Sequence, residues 1–368
     1  AATVAQANSG QSGIAAEKLY AKAVVLFKKK ALWDLKSVVD ELKTKHAESA
    51  VVTDTTRKVS FASMAQATAK MGKRFIVRQD GKGDFKTIQA AITAAASNSL
   101  IEIRDSETYS EMISGDKDKE GIMLRGGKDC WPIITTTPAM ATFTKFLELQ
   151  GEGSTLEHLI VVRKAKIRGD AVSLGKNCNI RRVVVTGGDV RGDKPKVENC
   201  FVGRGEVWVG GGNMRNSMLM SFIRGAPAFL DNVVVRDLSI WGTHPKITAL
   251  HCVFLQQVRA EQGTLEGDFT DCILSAVKSN EPGKTKIEYC NVYGKVPFIN
   301  YAKGGKGCFS GDPQFVNEKN FDFRVKKTSP CHGKGSDGGT VGVNYTPEMI
   351  EIIGKALELI KKGIVTKL

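Results

Sequence analysis

The sequence predicts a mainly β protein built as a parallel β-helix, in which short strands wind into stacked coils. The first observation is a phrase that recurs eight times between His158 and Tyr293: a polar residue, an apolar residue or Cys, and then a strand. Successive copies are 16 to 22 residues apart. Strand-containing repeats of about 20 residues are typical of solenoids, because no single unit can bury its own apolar face.

The second observation is that the second and fourth positions of each copy are almost all apolar. This is expected where side chains alternate between the inside and the outside of a strand. The second positions are Leu159, Cys178, Cys200, Ser217, Val233, Cys252, Cys272 and Cys290. We therefore expect the five Cys of this inward column to act as small buried hydrophobes.

The third observation is an Asn at the first position of four successive copies, Asn177, Asn199, Asn216 and Asn232. Asn tolerates the left-handed backbone conformation that a sharp corner between strands needs. The pattern therefore predicts a stacked Asn ladder at one corner. A leucine-rich repeat has a similar length, but its Leu spacing and its helix in every unit are missing.

Composition narrows the class of protein further. The chain has 368 residues, of which 42% are apolar, and it contains no apolar run long enough to span a membrane. Its net charge of +14 favours an anionic partner, although lysines on a solvated surface explain it equally well. The start at Ala1 without Met favours a processed, exported product.

The cysteines predict neither a disulfide scaffold nor a metal site. Eight Cys are sparse for a chain of this length, and no Cys or His pairs have zinc-ligand spacing. We therefore expect no metal and no cofactor from the spacing of these residues. Cys130, Cys308 and Cys331 lie outside the inward column, and a bridge between the last two stays open.

The N-terminal region is predicted to be helical. Residues 1–12 are rich in Ala, Gln, Ser and Gly, which favours a flexible end. Apolar residues then recur at helical spacing, so residues 13–73 predict an α-helical hairpin that resembles a single tetratricopeptide-type unit. A third short helix is expected from Phe61 to Lys70.

The predicted β-helix spans residues 74–343. It opens with a strand at Phe75–Val77, a Gly turn, and an amphipathic helix of about a dozen residues that would cover the first coil. This opening, and the phrases Gly311–Val316 and Thr328–Cys331 at the far end, resemble the pectin lyase-like superfamily, especially pectin methylesterases. The resemblance implies a right-handed β-helix and an exported, polysaccharide-directed protein.

A C-terminal helix is predicted within residues 344–368. Thr346 is a suitable N-cap, and Pro347 suits the first helical position. An apolar face follows, which we expect to pack on the solenoid or on the N-terminal hairpin. Its residues are Met349, Ile350, Ile353, Ala356, Leu357 and Ile360.

The resemblance does not extend to catalytic motifs. Pectin methylesterases carry the phrases Asp-Phe-Ile-Phe-Gly and Leu-Gly-Arg-Pro-Trp, and pectate lyases carry Arg-x-Pro-x-x-Arg; none occurs here. Calcium, which pectate lyases bind, is implied by the resemblance alone. The fold therefore leaves open whether the chain is a polysaccharide lyase, a carbohydrate esterase, a glycoside hydrolase or no enzyme.

Strand alternation nevertheless selects candidate site residues. In the strand after the Asn corner, on the sheet that by resemblance to the superfamily lines the sugar-binding groove, it turns several candidates outward. These are Glu206, Trp208, Ser239, Trp241, Gln257 and Arg259, of which Trp208, Trp241, Gln257 and Arg259 are candidate ligand-binding residues. Outward Trp is unusual and would suit stacking on sugar rings, unless loops cover it. Weak candidates for acid-base or charge-stabilising roles are Glu206, Arg259 and Glu261.

Arg163, Arg182 and Arg204 lie four residues after the inward column in three successive copies. Stacked arginines repel one another unless they meet anions, so a ladder could grip an acidic polymer. Neutralisation by nearby Asp or Glu is the equal alternative.

His158 and His251 occupy the Asn-corner position, which favours a structural role.

The sequence thus leaves two functions. The chain binds or processes an acidic polysaccharide in a groove along one sheet, or it is a non-catalytic scaffold whose helical ends contact a protein partner. Nucleic acid is not favoured, because aromatic and basic residues are not interleaved as in single-strand binders. Whether the chain is part of a longer protein is not decided.

Overall fold

A computed structural model of the chain describes residues 2–29, 32–137, 139–140, 144–164, 169–225, 229–240, 246–261 and 264–365. The chain forms two compact units. The first comprises Ala1–Lys73 and Ala96–Leu100, and the second comprises Arg74–Ala95 and Ile101–Leu368. None of the helices in these ranges is long and apolar enough to cross a membrane.

The first unit is helical, as predicted. Its helices are α1 (Ala2–Lys28), α2 (Leu32–Lys45), α3 (Ala50–Thr53) and α4 (Phe61–Thr68). One face of α2 packs with buried residues of α1 and α4 around a small apolar core. Helix α1 includes residues 2–12, for which the composition predicted a flexible end, and Ala and Gln are good helix formers.

The second unit is a right-handed parallel β-helix with a C-terminal helix. Its strands are β1 (Arg74–Val77), β2 (Leu100–Ile103), β3 (Thr108–Tyr109), β4 (Ile113–Gly115), β5 (Met123–Gly126), β6 (Ile133–Thr135), β7 (Lys145–Leu149), β8 (Thr155–Val162), β9 (Asp170–Lys176), β10 (Asn179–Thr186), β11 (Asp189–Asp193), β12 (Lys196–Glu198), β13 (Phe201–Val202), β14 (Glu206–Gly210), β15 (Asn213–Arg224), β16 (Phe229–Ile240), β17 (Lys246–Leu250), β18 (Val253–Ala260), β19 (Glu266–Thr270), β20 (Ile273–Ser279), β21 (Thr285–Glu288), β22 (Asn291–Val292), β23 (Phe298–Asn300), β24 (Phe315–Asn317) and β25 (Asp322–Val325). Helices α5 (Ile88–Ala94) and α6 (Pro347–Lys361) belong to the same unit.

Parallel pairing between successive coils produces three faces. Sheet 1 contains β1, β2, β5, β12, β17, β19, β21 and the starts of β8, β10, β15 and β16. Sheet 2 contains β3, β6, β13, β22 and the strand segments that follow the corner described below. Sheet 3 contains β4, β7, β9, β11, β14, β23 and the ends of β15, β16, β18 and β20. The antiparallel pair β24–β25 lies outside these sheets.

A single left-handed residue turns each coil from sheet 1 to sheet 2, which confirms the predicted corner. Its φ lies between 46° and 57° in every coil from β8 to β21. The corner residues are His158, Arg182, Asn199, Asn216, Asn232, His251, Asp271 and Tyr289. Polar side chains dominate this column because Asn and Asp tolerate the left-handed conformation best.

One predicted corner residue is wrong. The register aligns Val183 with Leu159, so Arg182, and not Asn177, occupies the corner next to His158. Asn177 is also left-handed, with φ 54°, but it lies beside Lys194 at a second corner that leads into sheet 1. The coil from His158 to Arg182 is longer than the coils that follow it, and it contains an additional copy of the repeated phrase, at Asn177-Cys178.

The same shift corrects the cysteine column. Cys200, Cys252, Cys272 and Cys290 share the inward column and are buried, whereas Cys178 is buried at the second corner. Burial raises the pKa of Cys200 to about 12, as expected for a core thiol. Cys308 packs in the core and Cys331 in the apolar layer outside sheet 2, and both are free thiols, so they form no bridge.

Helices close and cover the solenoid. Helix α5 buries Ile88, Ala91 and Ile92 on the first coils, and the Glu111 carboxylate accepts hydrogen bonds from the first two N–H groups of the helix. Thr346 caps α6, whose first residue is Pro347, as predicted. Helix α6 packs on the outer face of sheet 2.

The predicted apolar face of α6 is correct in part. The helix buries Met349, Ile352, Ile353, Ala356 and Leu359. Ile350 is exposed instead, because the contact face is rotated slightly around the helix from the predicted one. Beneath α6 and the C-terminal segment lies the outward apolar column of sheet 2. It consists of Ile160, Val184, Phe201, Met218, Val234, Val253 and Ile273.

One outward column of sheet 1 carries a charge in seven successive coils, and the sign alternates. We call this column the charge ladder; its members are Glu102, Arg125, Glu157, Arg181, Glu198, Arg215 and Asp231. Arg74 of the first coil lies beside the column and pairs with Glu102. Neighbouring side chains form ion pairs, such as Arg125–Glu102 at 3.1 Å and Arg181–Glu157 at 3.5 Å. Coils two apart carry like charges, so the ladder favours the native order of stacking.

Replacing the exposed Glu198 with lysine should destabilise the solenoid by about 1 kcal/mol, since the new ammonium group would lie between Arg181 and Arg215. Glu198→Gln should cost less, because it removes attraction without adding repulsion. Urea unfolding at low and high salt measures both free energies. Equal losses for the two variants, unchanged by salt, would show that the ladder does not act through charge.

Candidate functional site

The outer face of sheet 3 carries two parallel rows of side chains that run along the solenoid axis. Strand alternation points both rows outward, on either side of a buried inward row that includes Val190, Val207 and Val258. The acidic row is Asp170, Asp189, Glu206, Phe222, Asp237 and Gln257. The basic row is Ser173, Arg191, Trp208, Arg224, Ser239, Arg259 and Lys278. Successive members lie one coil apart, which is about 4.8 Å.

The two rows are joined by ion pairs. Arg191 donates to both Asp170 and Asp189, the latter at 3.1 Å. Two coils further, Arg224 lies 2.8 Å from Glu206. Neighbouring coils are therefore linked by opposite charges across the sheet.

The pairing continues at Arg259, which donates to Asp237 at 2.9 Å and to Glu261 at 3.0 Å. The Ser239 hydroxyl also donates to Glu261. This hydrogen bond and the charge of Arg259 lower the pKa of Glu261. Burial lowers the pKa of Arg259, but Asp237 and Glu261 together outweigh it and raise the pKa overall.

The acidic side of this network is buried although it faces outward. Asp189 is only 2% exposed, and Asp170, Glu206 and Asp237 are buried as well. Burial raises the pKa of Asp170, and Arg191 only partly offsets this effect. Burying carboxylates is costly unless they are paired, so the arginines are required for the stability of this face.

Trp208 lies in the basic row between Arg191 and Arg224. Its ring is half-buried, and the Arg191 guanidinium carbon lies 4.9 Å from the ring centroid. Within the described ranges, the indole N–H has no hydrogen-bond partner. The indole nitrogen is itself buried, so Trp208 offers the exposed part of its aromatic ring, next to two guanidinium groups.

The structure brings together all three weak catalytic candidates. Glu206, Arg259 and Glu261 all belong to the sheet 3 network, linked through Arg224, whose charge acts on Glu261. Gln257 lies beside Asp237 in the acidic row. Trp241 lies outside the described residues.

The predicted arginine ladder is not formed. Arg182 is a corner residue that pairs with Glu351 of α6 at 2.8 Å, whereas Arg204 is exposed. Arg163 is buried, and burial lowers the pKa of its guanidinium despite the nearby Asp170 and Asp189. The ladder is interrupted because the register after His158 places Arg182 at the corner and Gly187 between Arg163 and Arg204.

Sequence reasoning missed Asp170, Asp189, Arg191, Arg224 and Asp237. The available signal was strand alternation, because each lies one position before or after an inward apolar residue. What the sequence lacked was the register between coils, which decides which acid meets which arginine.

No group of three or more His, Cys, Asp or Glu side chains in the described ranges could hold a metal ion. Calcium therefore remains an expectation from the resemblance alone.

No protein-family model and no curated protein matches the chain. Solved structures do show similarity. The crystal structure of pectate lyase Pel9A is 9% identical with a TM-score of 0.48, covering 75% of this chain and 96% of that one. The pectin methylesterase from carrot is 15% identical with a TM-score of 0.35, covering 65% and 88%. Both are right-handed parallel β-helix proteins, the fold that the strand pairing of this chain defines.

Proposed function

We propose that this protein binds an acidic polysaccharide along the outer face of sheet 3, with Trp208 and the basic row as the main contacts. The observation that carries the proposal is the half-buried Trp208 between two arginines on a straight, axial row. A linear polymer lying along the axis would meet one member of the row per coil. The aromatic ring suits a sugar face, and guanidinium groups suit uronate carboxylates.

The pairing of the carboxylates favours binding over catalysis. Asp170, Asp189, Glu206, Asp237 and Glu261 each pair with an arginine. Acid-base catalysis of glycoside cleavage needs one carboxyl group that donates a proton and another that attacks or activates water. Binding only requires that uronates compete for arginines that already have partners, so we expect moderate affinity that falls with salt.

Binding to polygalacturonate and to alginate at low salt tests the proposal, with a neutral glucan as the control polymer. Ultraviolet absorbance of unsaturated products should stay flat throughout. Rising absorbance would instead identify a polysaccharide lyase. Failure to bind any acidic polymer at low salt would overturn the proposal and favour the scaffold whose helical ends contact a protein partner.

Trp208→Ala should weaken polymer binding about tenfold, consistent with an aromatic contribution of about 1 kcal/mol plus lost contact area. Trp33→Ala is the matched control, because Trp33 is also half-buried but lies on α2 of the other unit. Isothermal titration calorimetry provides both affinities. Equal affinities for the two variants would exclude Trp208 from the binding surface.

We also propose that the protein is exported, since its expected ligand is extracellular. Fractionation of the cells that produce it tests this. Recovery of the protein from the cytoplasm alone would contradict export.

A further inference from the structure

The contact between α6 and the solenoid contains a buried histidine. His158 is 5% exposed, occupies the first described position of the corner column, and has left-handed backbone. The Trp131 ring packs edge-on against it, with 4.3 Å between ring centroids. Among the described residues, Nε2 of His158 has no hydrogen-bond partner.

Charged groups surround this aromatic pair. Arg182, the corner residue of the next coil, is joined to Glu351 of α6 by two contacts, at 2.8 and 3.0 Å. The Arg182 guanidinium lies 5.9 Å and Lys355 Nζ lies 5.7 Å from the centroid of Trp131.

Lys355 in turn pairs with Glu358 of α6 at 3.2 Å. Glu358 also pairs with Lys362 at 2.6 Å, and Asp129 lines the cavity beside Trp131. This contact region between α6 and the solenoid, the seam, therefore holds three cations and three carboxylates.

Of these groups, Arg182 and Glu351 act on His158 most directly. Burial lowers the pKa of His158 below its ordinary value, and Arg182 lowers it further. Glu351 and hydrogen bonds to the backbone of Gly126 and Gly127 act in the opposite direction but do not outweigh burial. A charged imidazole would be desolvated beside Arg182 and would compete with that arginine for Glu351. The Arg182–Glu351 pair, which fastens α6 to β10, would weaken.

We propose that protonation of His158 loosens α6 from sheet 2, so that mildly acidic conditions expose the apolar column beneath the helix. The neutral imidazole fits the closed seam, and the imidazolium fits only the open one. Opening uncovers Val184, Phe201 and Met218, which are fully buried in the closed state. An apolar surface would then become available at low pH.

The direction of the pH effect follows from linkage. His158 binds protons more weakly when α6 is docked than when it is released. The docked state is therefore fully favoured above the ordinary His pKa of about 6.5 and loses stability as the pH falls through that value. The loss levels off below the lowered pKa of the docked state.

Hydrogen exchange of the full chain at about pH 8 and about pH 5, corrected for the chemical exchange rate, tests the proposal. Protection of Met349–Leu359 should fall at least about fivefold at the lower pH, the lower end of the range typical of coupling between two equilibria. His158→Asn should abolish this dependence. Asn is the matched replacement, because three other coils have Asn at this corner.

His251→Asn is the control, since His251 occupies the same corner column but lies between Asp231 and Asp271. This variant should keep the wild-type pH dependence of α6. Unchanged protection of wild-type α6 at both pH values would overturn the proposal, as would an unaltered dependence in His158→Asn. Should that variant not fold, histidine NMR of the wild-type chain decides: a His158 ring that stays neutral while α6 opens contradicts the mechanism.

Discussion

Arg191→Met is expected to destabilise the solenoid by about 3 kcal/mol, because it leaves two buried carboxylates without their shared partner. Asp170 and Asp189 both lose a charge-assisted hydrogen bond. This loss of stability should lie at the lower end of the range for breaking a buried ion pair, since the Arg191 side chain itself is 41% exposed. Urea unfolding at neutral pH measures the loss.

The pH dependence of this variant should identify the cause. Burial already raises the pKa of Asp170 above its ordinary value, and removal of Arg191 should raise it further. A carboxyl group with a raised pKa in the folded state stabilises the fold at low pH and costs stability as the pH rises through that pKa. The loss of stability caused by Arg191→Met should therefore become smaller as the pH is lowered from about 7 to about 4.

Arg181→Met is the matched control for Arg191→Met. Arg181 also faces outward from the solenoid, but its partner Glu157 lies 3.5 Å away, and the arginine side chain is 44% exposed. Its loss should cost less than about 1 kcal/mol. Similar losses for both variants would show that the carboxylates on sheet 3 do not depend on their arginines.

The contrast between these two arginines shows what sequence could and could not predict. The inward columns and the left-handed corners follow from local chemistry, namely alternation along a strand and the tolerance of Asn for positive φ. The lateral partners of Arg191 and Arg181 depend on how each coil is aligned with the next. The coil from His158 to Arg182 is longer than the repeats after it, and this difference was enough to misplace Asn177 and Arg182.

The candidate site could also be predicted only as far as the alternation within single strands allows. Alternation placed Trp208, Glu206 and Arg259 on one outward face, which the structure confirms. It could not indicate that the carboxylates beside them are buried and paired, because that depends on neighbouring coils. The pairing is what shifts the favoured function from catalysis to binding.

Asn232→Ala is expected to cost about 4 kcal/mol, although it removes only one polar side chain. Asn232 Nδ2 donates to Asn216 Oδ1 at 2.9 Å and to the Asn344 carbonyl at 2.6 Å, and Oδ1 accepts from the Asn344 N–H at 2.7 Å. Each lost hydrogen bond contributes about 1 kcal/mol, and left-handed backbone at an Ala costs about 1 kcal/mol more. Since Asn344 precedes the cap of α6, the variant should also weaken protection of α6 in hydrogen exchange.

A pair of glycine variants separates backbone conformation from hydrogen bonding at this corner. Asn232→Gly keeps the left-handed backbone without strain but loses all three hydrogen bonds, so it should still cost about 3 kcal/mol. Asn199→Gly should change stability by less than about 0.5 kcal/mol, because Oδ1 of Asn199 has no partner among the described residues and its φ of 53° suits glycine. Urea unfolding compares the two. Equal costs would mean that Asn232 acts only through its backbone, and that the C-terminal segment is held by its apolar contacts with sheet 2 alone.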